Sequence, residues 1–466
     1  MLPTRSLSAG SLASCLLAVL VLATPAQAAS AAVAGGALRL TGTVGPPTTS
    51  TLAAGRGFGP SKTVDLTFDQ APTGSATTDP SGAFQTRVKI PATALPGQHE
   101  ITATGESSGL SAGASFLVRT DWPMFHGGPA RTGFDPYENI LDPSTVSGLH
   151  VAWKFHDALD ASPAVADGRV YVQGFDLEAL DARTGAAIWR IDLGSDFTVS
   201  SPAVAYGMVY VGVAGDIWAL DAATGQQVWT FSTGNAVDAS PAVADGTVYI
   251  PSLDGNLYAL DVATGSLRWR HHTGAYERAN PAVADGVVYW GSADGNLYAL
   301  DEATGATLWT ARMLIYEFVS PAVVDGVVYV GAADGRIYAL DATTGHELWR
   351  FPTPAGILAS PAVADGVVYV SSGQGDLTGL YALDAQTGAE LWTSAPFGNH
   401  FTASLAVADG VVYVASPSGR LAALDATSGD LLWMFPASGA TFSSVAVANG
   451  KVYLASQKRT TFAFGL

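Results

Sequence analysis

The chain has 466 residues, enough for two or three domains at the usual ~100–200 residues each. It carries 22 Lys+Arg against 40 Asp+Glu, a formal charge of −18, with 13% of residues charged, 48% apolar and 52 glycines. Sparse charge excludes coiled coils and charge-rich disorder, excess acid argues against a phosphate-backbone binder, and glycine without a three-residue period is not collagen. A turn-rich, all-β protein remains.

Met1–Ala28 reads as a secretory signal: Arg5 supplies the positive start, Leu16–Ala23 the apolar run and Ala26-Gln27-Ala28 the small-residue cleavage site. The only cysteine, Cys15, lies inside it. Leu12-Ala13-Ser14-Cys15 has the look of a lipoprotein box, but the main apolar run follows the cysteine, which argues against lipidation. A chain cleaved after Ala28 has no cysteine, hence no disulfide, no thiolate-held metal, no C-x-x-C-H haem and no cysteine nucleophile. No later stretch reaches the ~18 apolar residues of a transmembrane helix, so the expectation is a secreted or envelope protein with no membrane span.

Residues 29–119 are expected to hold a small β-sandwich. Val64, Leu66 and Phe68 alternate with polar neighbours, and so do Phe84, Thr86, Val88 and Ile90 after the Asp79-Pro80-Ser81-Gly82 turn. With Gly57-Phe58-Gly59-Pro60, Pro91–Gly97 and Ile101–Gly105, this stretch resembles immunoglobulin-like modules of bacterial surface and secreted proteins. The resemblance implies a spacer or adhesive unit. Residues 120–150 read as an entry segment that leads into the C-terminal two thirds of the chain.

From residue 151 the chain repeats itself. Ser-Pro-Ala-Val-Ala-Asp-Gly-Val-Val-Tyr-Val, Asp-Gly-Asn-Leu-Tyr-Ala-Leu-Asp and Thr-Gly-x-x-Leu-Trp recur nearly verbatim. The tryptophans are Trp153, Trp189, Trp229, Trp269, Trp309, Trp349, Trp392 and Trp433, spaced 36, 40, 40, 40, 40, 43 and 41 residues apart. Tyr171, Tyr210, Tyr249, Tyr289, Tyr329, Tyr369, Tyr413 and Tyr453 keep the same beat. Each unit parses into four short strands: in the first, Ala164–Ala166, Arg169–Gln173, Leu177–Leu180 and Ala187–Ile191. Four antiparallel strands per ~40 residues make one β-propeller blade. The last unit, Ser444–Leu466, stops before any Leu-Trp, while Val151–Phe155 has no strands before it. Each lacks what the other has, so the spacing predicts an eight-bladed ring closed by Val151–Phe155; an open solenoid would want atypical caps at both ends.

The segment Ala259–Trp269 resembles the tryptophan-docking repeat of the quinoprotein alcohol dehydrogenase family, and Asp121–Gly128 with Arg131-Thr132-Gly133 is similar to that family's approach to the ring. The resemblance implies an eight-bladed propeller, with two branches. One is catalytic, with pyrroloquinoline quinone on calcium, a carboxylate and an amide as ligands, an aspartate base, a tryptophan platform and, in many members, a disulfide between adjacent cysteines. The other is non-catalytic and includes outer-membrane assembly scaffolds of the BamB type. The missing cysteines and the minimal blades favour the second, with no cofactor, no metal and no catalytic residue expected.

The tryptophans are read as docking residues between blades. Asp181, Asp221, Asp261, Asp301, Asp341, Asp384 and Asp425, and separately Asp167, Asp245, Asp285, Asp325, Asp365 and Asp409, are read as turn residues whose oxygens satisfy backbone N–H groups. None has the D-x-D-x-D-G spacing of a calcium loop. Departures from the repeat mark candidate function. They concentrate in the connection leading into each Ser-Pro-Ala-Val: Tyr276, Glu277 and Arg278, then Tyr316, Glu317 and Phe318 in the next unit, and Phe401. These residues are either unconstrained loop positions or a binding patch for a protein or surface polymer, aromatic area with orienting charges. The insertion Ser372–Gly379 is expected on the same face. His126, His271, His272 and His400 have no paired spacing and are read as structural. No nucleic acid is expected as a partner, and a monomer is.

Overall fold

The computed structural model describes residues 36–156, 161–194, 200–313, 319–374, 377–397, 404–437 and 443–466. The signal read at Met1–Ala28 lies outside them, as do Tyr316, Glu317, Phe318, Phe401 and His400. Apart from one 3-10 turn at Val146–Gly148, every regular element among the described residues is a strand.

In residues 37–118 a three-stranded sheet (Ala37–Leu40, Ser50–Arg56, Phe84–Lys89) faces a five-stranded one built on Thr63–Phe68, Gly97–Gly105 and Ser111–Val118. Leu38, Phe84 and Val88 from one and Val64, Leu66, Ile101 and Phe116 from the other form a single core. The alternation read in the sequence is the alternation between that core and water.

The rest is eight sheets, each with four antiparallel strands, the blades of a propeller; that of blade 7 gains a fifth, parallel strand from Phe134–Asp135. Strands A to D of blade 1 are Ala164–Ala166, Arg169–Gln173, Asp176–Asp181 and Ala187–Asp192. The short A strands, mostly Ala-Val-Ala, line the axis, where only small side chains leave room for eight neighbours. They follow one another around the ring until Ala446–Ala448 meets Ala164–Ala166 again. Blade 8 takes its outer strand from the start of the ring: His150–His156 pairs antiparallel with Thr460–Gly465. The predicted closure is the observed one. The insertion Ser372–Gly379 lengthens the B–C hairpin of blade 6, whose strands pair as far as Gln374 with Leu377.

Two repeated turns shape each blade. Between A and B, Asp167 and Gly168 both have positive φ, +52° and +71°, the type I′ geometry that matches strand twist. Between C and D, Asp181 Oδ1 accepts the backbone N–H groups of Arg183 and Thr184 and the Thr184 hydroxyl; in six later turns the aspartate accepts the matching backbone N–H, and in all but the last, where the Ser428 hydroxyl turns to Asp430, the hydroxyl too. These bonds hold the carboxyls of Asp181, Asp221, Asp341 and Asp384 below the usual range. Much of the acid excess is thus turn chemistry.

The tryptophans join the blades by a specific bond. Each indole Nε1–H donates to one carbonyl in the C–D turn of the next blade: Trp153 to Ala182, Trp189 to Ala222, Trp229 to Val262, Trp269 to Glu302, Trp309 to Ala342, Trp349 to Ala385 and Trp392 to Ala426, at 2.8–3.1 Å. The strand B tyrosine of the same blade reaches the same carbonyl in six blades, for example Tyr171 to Ala222 and Tyr289 to Ala342. Blade 8 has no C–D turn of its own, so the approach segment substitutes for it. Trp433 donates to the Leu149 carbonyl and Tyr413 to that of Leu141.

The turn glycine lies under the indole of the preceding blade. At Gly305, φ is +70° and an added Cβ would stand 2.6 Å from the Trp269 ring; at Gly286 in the A–B turn of the same blade, φ is +77° and the space is open. Gly286→Ala therefore carries only the left-handed backbone penalty, about 1–2 kcal/mol. Gly305→Ala adds overpacking, about 1–3 kcal/mol more. Urea midpoints of the two variants should fall in that order, and equal midpoints would remove the indole–glycine contact as a blade lock.

Candidate functional site

Alternating strand direction puts the A–B and C–D turns on one face of the ring and the B–C and D–A connections on the other. The segment read as a simple approach enters through the first face and plugs the channel. At its start, Arg119 meets Asp167 in the A–B turn of blade 1, and Thr120 is held by Asn449 in that of blade 8. The backbone then bonds the middle residue of one A strand after another. Trp122 exchanges two bonds with Val165; Pro123, Pro129, Ala130, Thr132 and Gly133 accept from Val204, Val283, Val323, Val363 and Val407.

Blade 3 is reached by a side chain. Arg131, fully buried, donates to the carbonyls of Ser240, Pro241, Pro281 and Phe125. Burial works against its charge, and four carbonyls answer it. His126, at φ +56°, stacks on Phe125; burial drives its pKa down to about 3, so it is neutral.

A ring of side chains stands just ahead of the A strands. In seven of the eight blades the residue two before the A strand (before Pro-Ala-Val in blades 1 to 6, Leu-Ala-Val in blade 7) accepts the corresponding residue's N–H from the blade before: Ser162 to Ser201, Ser201 to Ser240, Ser240 to Asn280, Asn280 to Ser320, Ser320 to Ser360, Ser360 to Ser404, and Ser444 to Ser162. The constant serine was legible in the repeat, but its bond runs between blades and a single unit does not reveal it. Asn280 is the one substitution in the ring.

Asn280 sits beside the nominated residues, which take three different positions. Tyr276 projects into solvent at 66% exposure, the most exposed large apolar side chain among those described. Glu277, at 0%, lies beneath the surface and accepts from the hydroxyls of Thr273 and Ser292. Burial raises its pKa above the carboxylate range, opposed by those bonds. In the corresponding place other connections bury Val237 and Ile357, so Glu277 fills an inward position with a polar group. Arg278 ion-pairs with Asp238 of the preceding connection at 3.2 Å.

The same sector departs from the repeat below the rim. Trp290 replaces the aliphatic residue after the strand B tyrosine, and His271 meets it edge-on and packs against Tyr298. His272 bonds Asn256. Among the described residues no three His, Cys, Asp or Glu side chains stand together as metal ligands, and no helix is long and apolar enough to cross a membrane.

A family profile described as outer membrane protein assembly factor BamB matches residues 144–236, 213–315, 293–393 and 378–465. No curated protein matches the chain. Among solved structures, BamB from Moraxella catarrhalis is 20% identical with a TM-score of 0.61, over 68% of this chain and 100% of that one. A europium-containing methanol dehydrogenase is 14% identical with a TM-score of 0.64, over 74% and 98%. Quinohemoprotein alcohol dehydrogenase from Comamonas testosteroni is 19% identical with a TM-score of 0.61, over 74% and 80%. At these identities the likeness concerns the fold.

The rim geometry separates a presenting residue from a supporting one. Tyr276→Ala should leave stability within about 0.5 kcal/mol of the parent. Glu277→Ala strips the buried Ser292 hydroxyl and the half-buried Thr273 hydroxyl of their acceptor and should cost about 1–3 kcal/mol, with Glu277→Gln losing less. Thermal unfolding of the three variants reads this, and an unaffected Glu277→Ala would show that the carboxyl carries no load.

Proposed function

Because the chain belongs to the family of the outer membrane protein assembly factor BamB, we propose that it is a non-catalytic, exported propeller that holds a protein or surface polymer against its loop face. The observation that carries this is Tyr276, a rigid aromatic set in solvent on a rim whose neighbouring side chains are tied down. Aromatic side chains of that kind supply contact area at low entropy cost and dominate binding energy. The plug makes the ring a platform: a partner docks on the mouth and does not thread it. Export by Met1–Ala28 places the protein outside the cytoplasm or in the envelope. Residues 29–119, an immunoglobulin-like spacer in this reading, stand between the signal and the ring.

The alternative is a quinone-dependent alcohol or sugar dehydrogenase. It asks for a carboxylate and an amide to hold calcium with the quinone, and two rim carboxylates are already engaged. Glu277 is committed to Thr273 and Ser292, and Asp238 to Arg278.

The test is capture of envelope or culture components on the immobilised full chain. Tyr276→Ala with Tyr316→Ala should lower capture about 10- to 30-fold, the loss of one to two binding anchors, while unfolding stays unchanged. Undiminished capture by the folded double variant sinks the patch. Quinone-dependent dye reduction with alcohols or sugars, after addition of pyrroloquinoline quinone and calcium, sinks the non-catalytic reading.

A further inference from the structure

The place where the ring is sewn shut contains two buried carboxyls with an unusual burden. Asp135 ends the plug, in the two-residue strand Phe134–Asp135 that runs parallel to the A strand of blade 7. Its Oδ1 accepts the Tyr137 N–H at 2.9 Å, while Oδ2 is buried with no hydrogen-bond partner. Three residues on, Glu138 accepts from Ile140 N–H at 3.0 Å and from Gly450 N–H at 2.9 Å. Both carboxyls are 4% exposed.

Gly450 belongs to the A–B turn of blade 8, the blade completed by His150–His156, and its neighbour Asn449 grips Thr120 at the plug's start. One spot therefore joins the beginning of the plug, its end and the closing blade. The titratable groups around it are mostly acidic or phenolic; Arg119, beside Thr120, pairs with Asp121 and Asp167, and Lys451 follows Gly450. Blade 7 brings Asp409 and Tyr413, blade 8 brings Tyr453, and the segment itself adds Asp142; Glu138 acts on both tyrosines. The Thr120 hydroxyl lies against Asp135.

We propose that this seam is a proton-dependent clasp, closed while the Asp135–Glu138 pair retains a proton and the first part of the ring to open once both are charged. A neutral Asp135 carries its proton on Oδ2, the buried oxygen that as an anion has no backbone donor and only the Thr120 hydroxyl near the carboxyl. Burial, with Glu138 beside it, raises the Asp135 pKa to about 7. The opened segment returns to the ordinary value near 4. Between those values the closed form holds a proton that the open form has released, so closure weakens as pH rises through the window and is steady above it. The inference does not depend on what the loop face binds.

Hydrogen exchange of the full chain tests it. After correction for intrinsic rates, amides in 119–138 and 446–466 should show an opening equilibrium that rises about tenfold per pH unit between about 5 and 7. The A strands of blades 3 and 4 should not. Asp135→Asn should flatten the dependence, and Glu138→Gln, which removes the neighbouring charge, should move it to lower pH. If Asp135→Asn fails to fold, the Glu138→Gln shift and the contrast with blades 3 and 4 still decide. A pH-independent seam, an equal response in blades 3 and 4, or an unmoved Glu138→Gln profile overturns the proposal.

Discussion

At seven of the eight joints between blades one carbonyl takes the indole N–H of the preceding blade and, in most, the tyrosine hydroxyl as well. That carbonyl belongs to the C–D turn, which the aspartate shapes and which needs glycine because the indole lies on it. Aspartate, glycine, tryptophan and tyrosine are thus four parts of one joint. A hydrogen bond of this kind contributes only about 1 kcal/mol net, but an indole N–H buried without a partner costs about 1–3 kcal/mol, so no member drifts alone. The near-verbatim repetition follows from that coupling.

The fold was legible because the joint recurs. The period, the four-strand parse, the blade count and the closing role of Val151–Phe155 follow from counting alone, since strand alternation and turn chemistry are local properties. What the repeat could not show lies between units or outside them. The serine ring bonds residues 39 to 44 positions apart, apart from the link from Ser444 back to Ser162 that crosses the ring's closure. The plug belongs to no unit, and its contacts are mostly backbone to backbone, which leaves little compositional trace. Arg131 was read only as part of an approach motif, yet it is the side chain that reaches blade 3, whose A strand the plug's backbone does not bond.

The candidate site shows the same division. Tyr276, Glu277 and Arg278 stood out as departures from the column pattern, and they do adjoin one another on the open face. Their individual roles depend on which way each side chain turns, and adjacent residues in a connection turn different ways. Glu277 goes inward, as Val237 and Ile357 do in their own connections, and only the hydroxyls of Thr273 and Ser292 make a carboxyl tolerable there. Both partners are visible in the sequence as ordinary loop residues. Nothing in their spacing marks them as a pair of donors.

A ring of near-identical blades has one unavoidable irregularity, the junction of its ends, and the protein puts its most distinctive buried chemistry there. Seven joints use the same carbonyl; the eighth divides the work between Leu149 and Leu141, both supplied by the approach segment. That segment must leave the channel to do this, and in leaving it buries Asp135 and Glu138 under blades 7 and 8. An apolar pair would fill the space at less cost, but it could not accept the N–H groups of Tyr137, Ile140 and Gly450, which the turn leaves without strand partners. The carboxyls are there because the junction needs acceptors, and their sensitivity to protons is a consequence of meeting that need in a dry place.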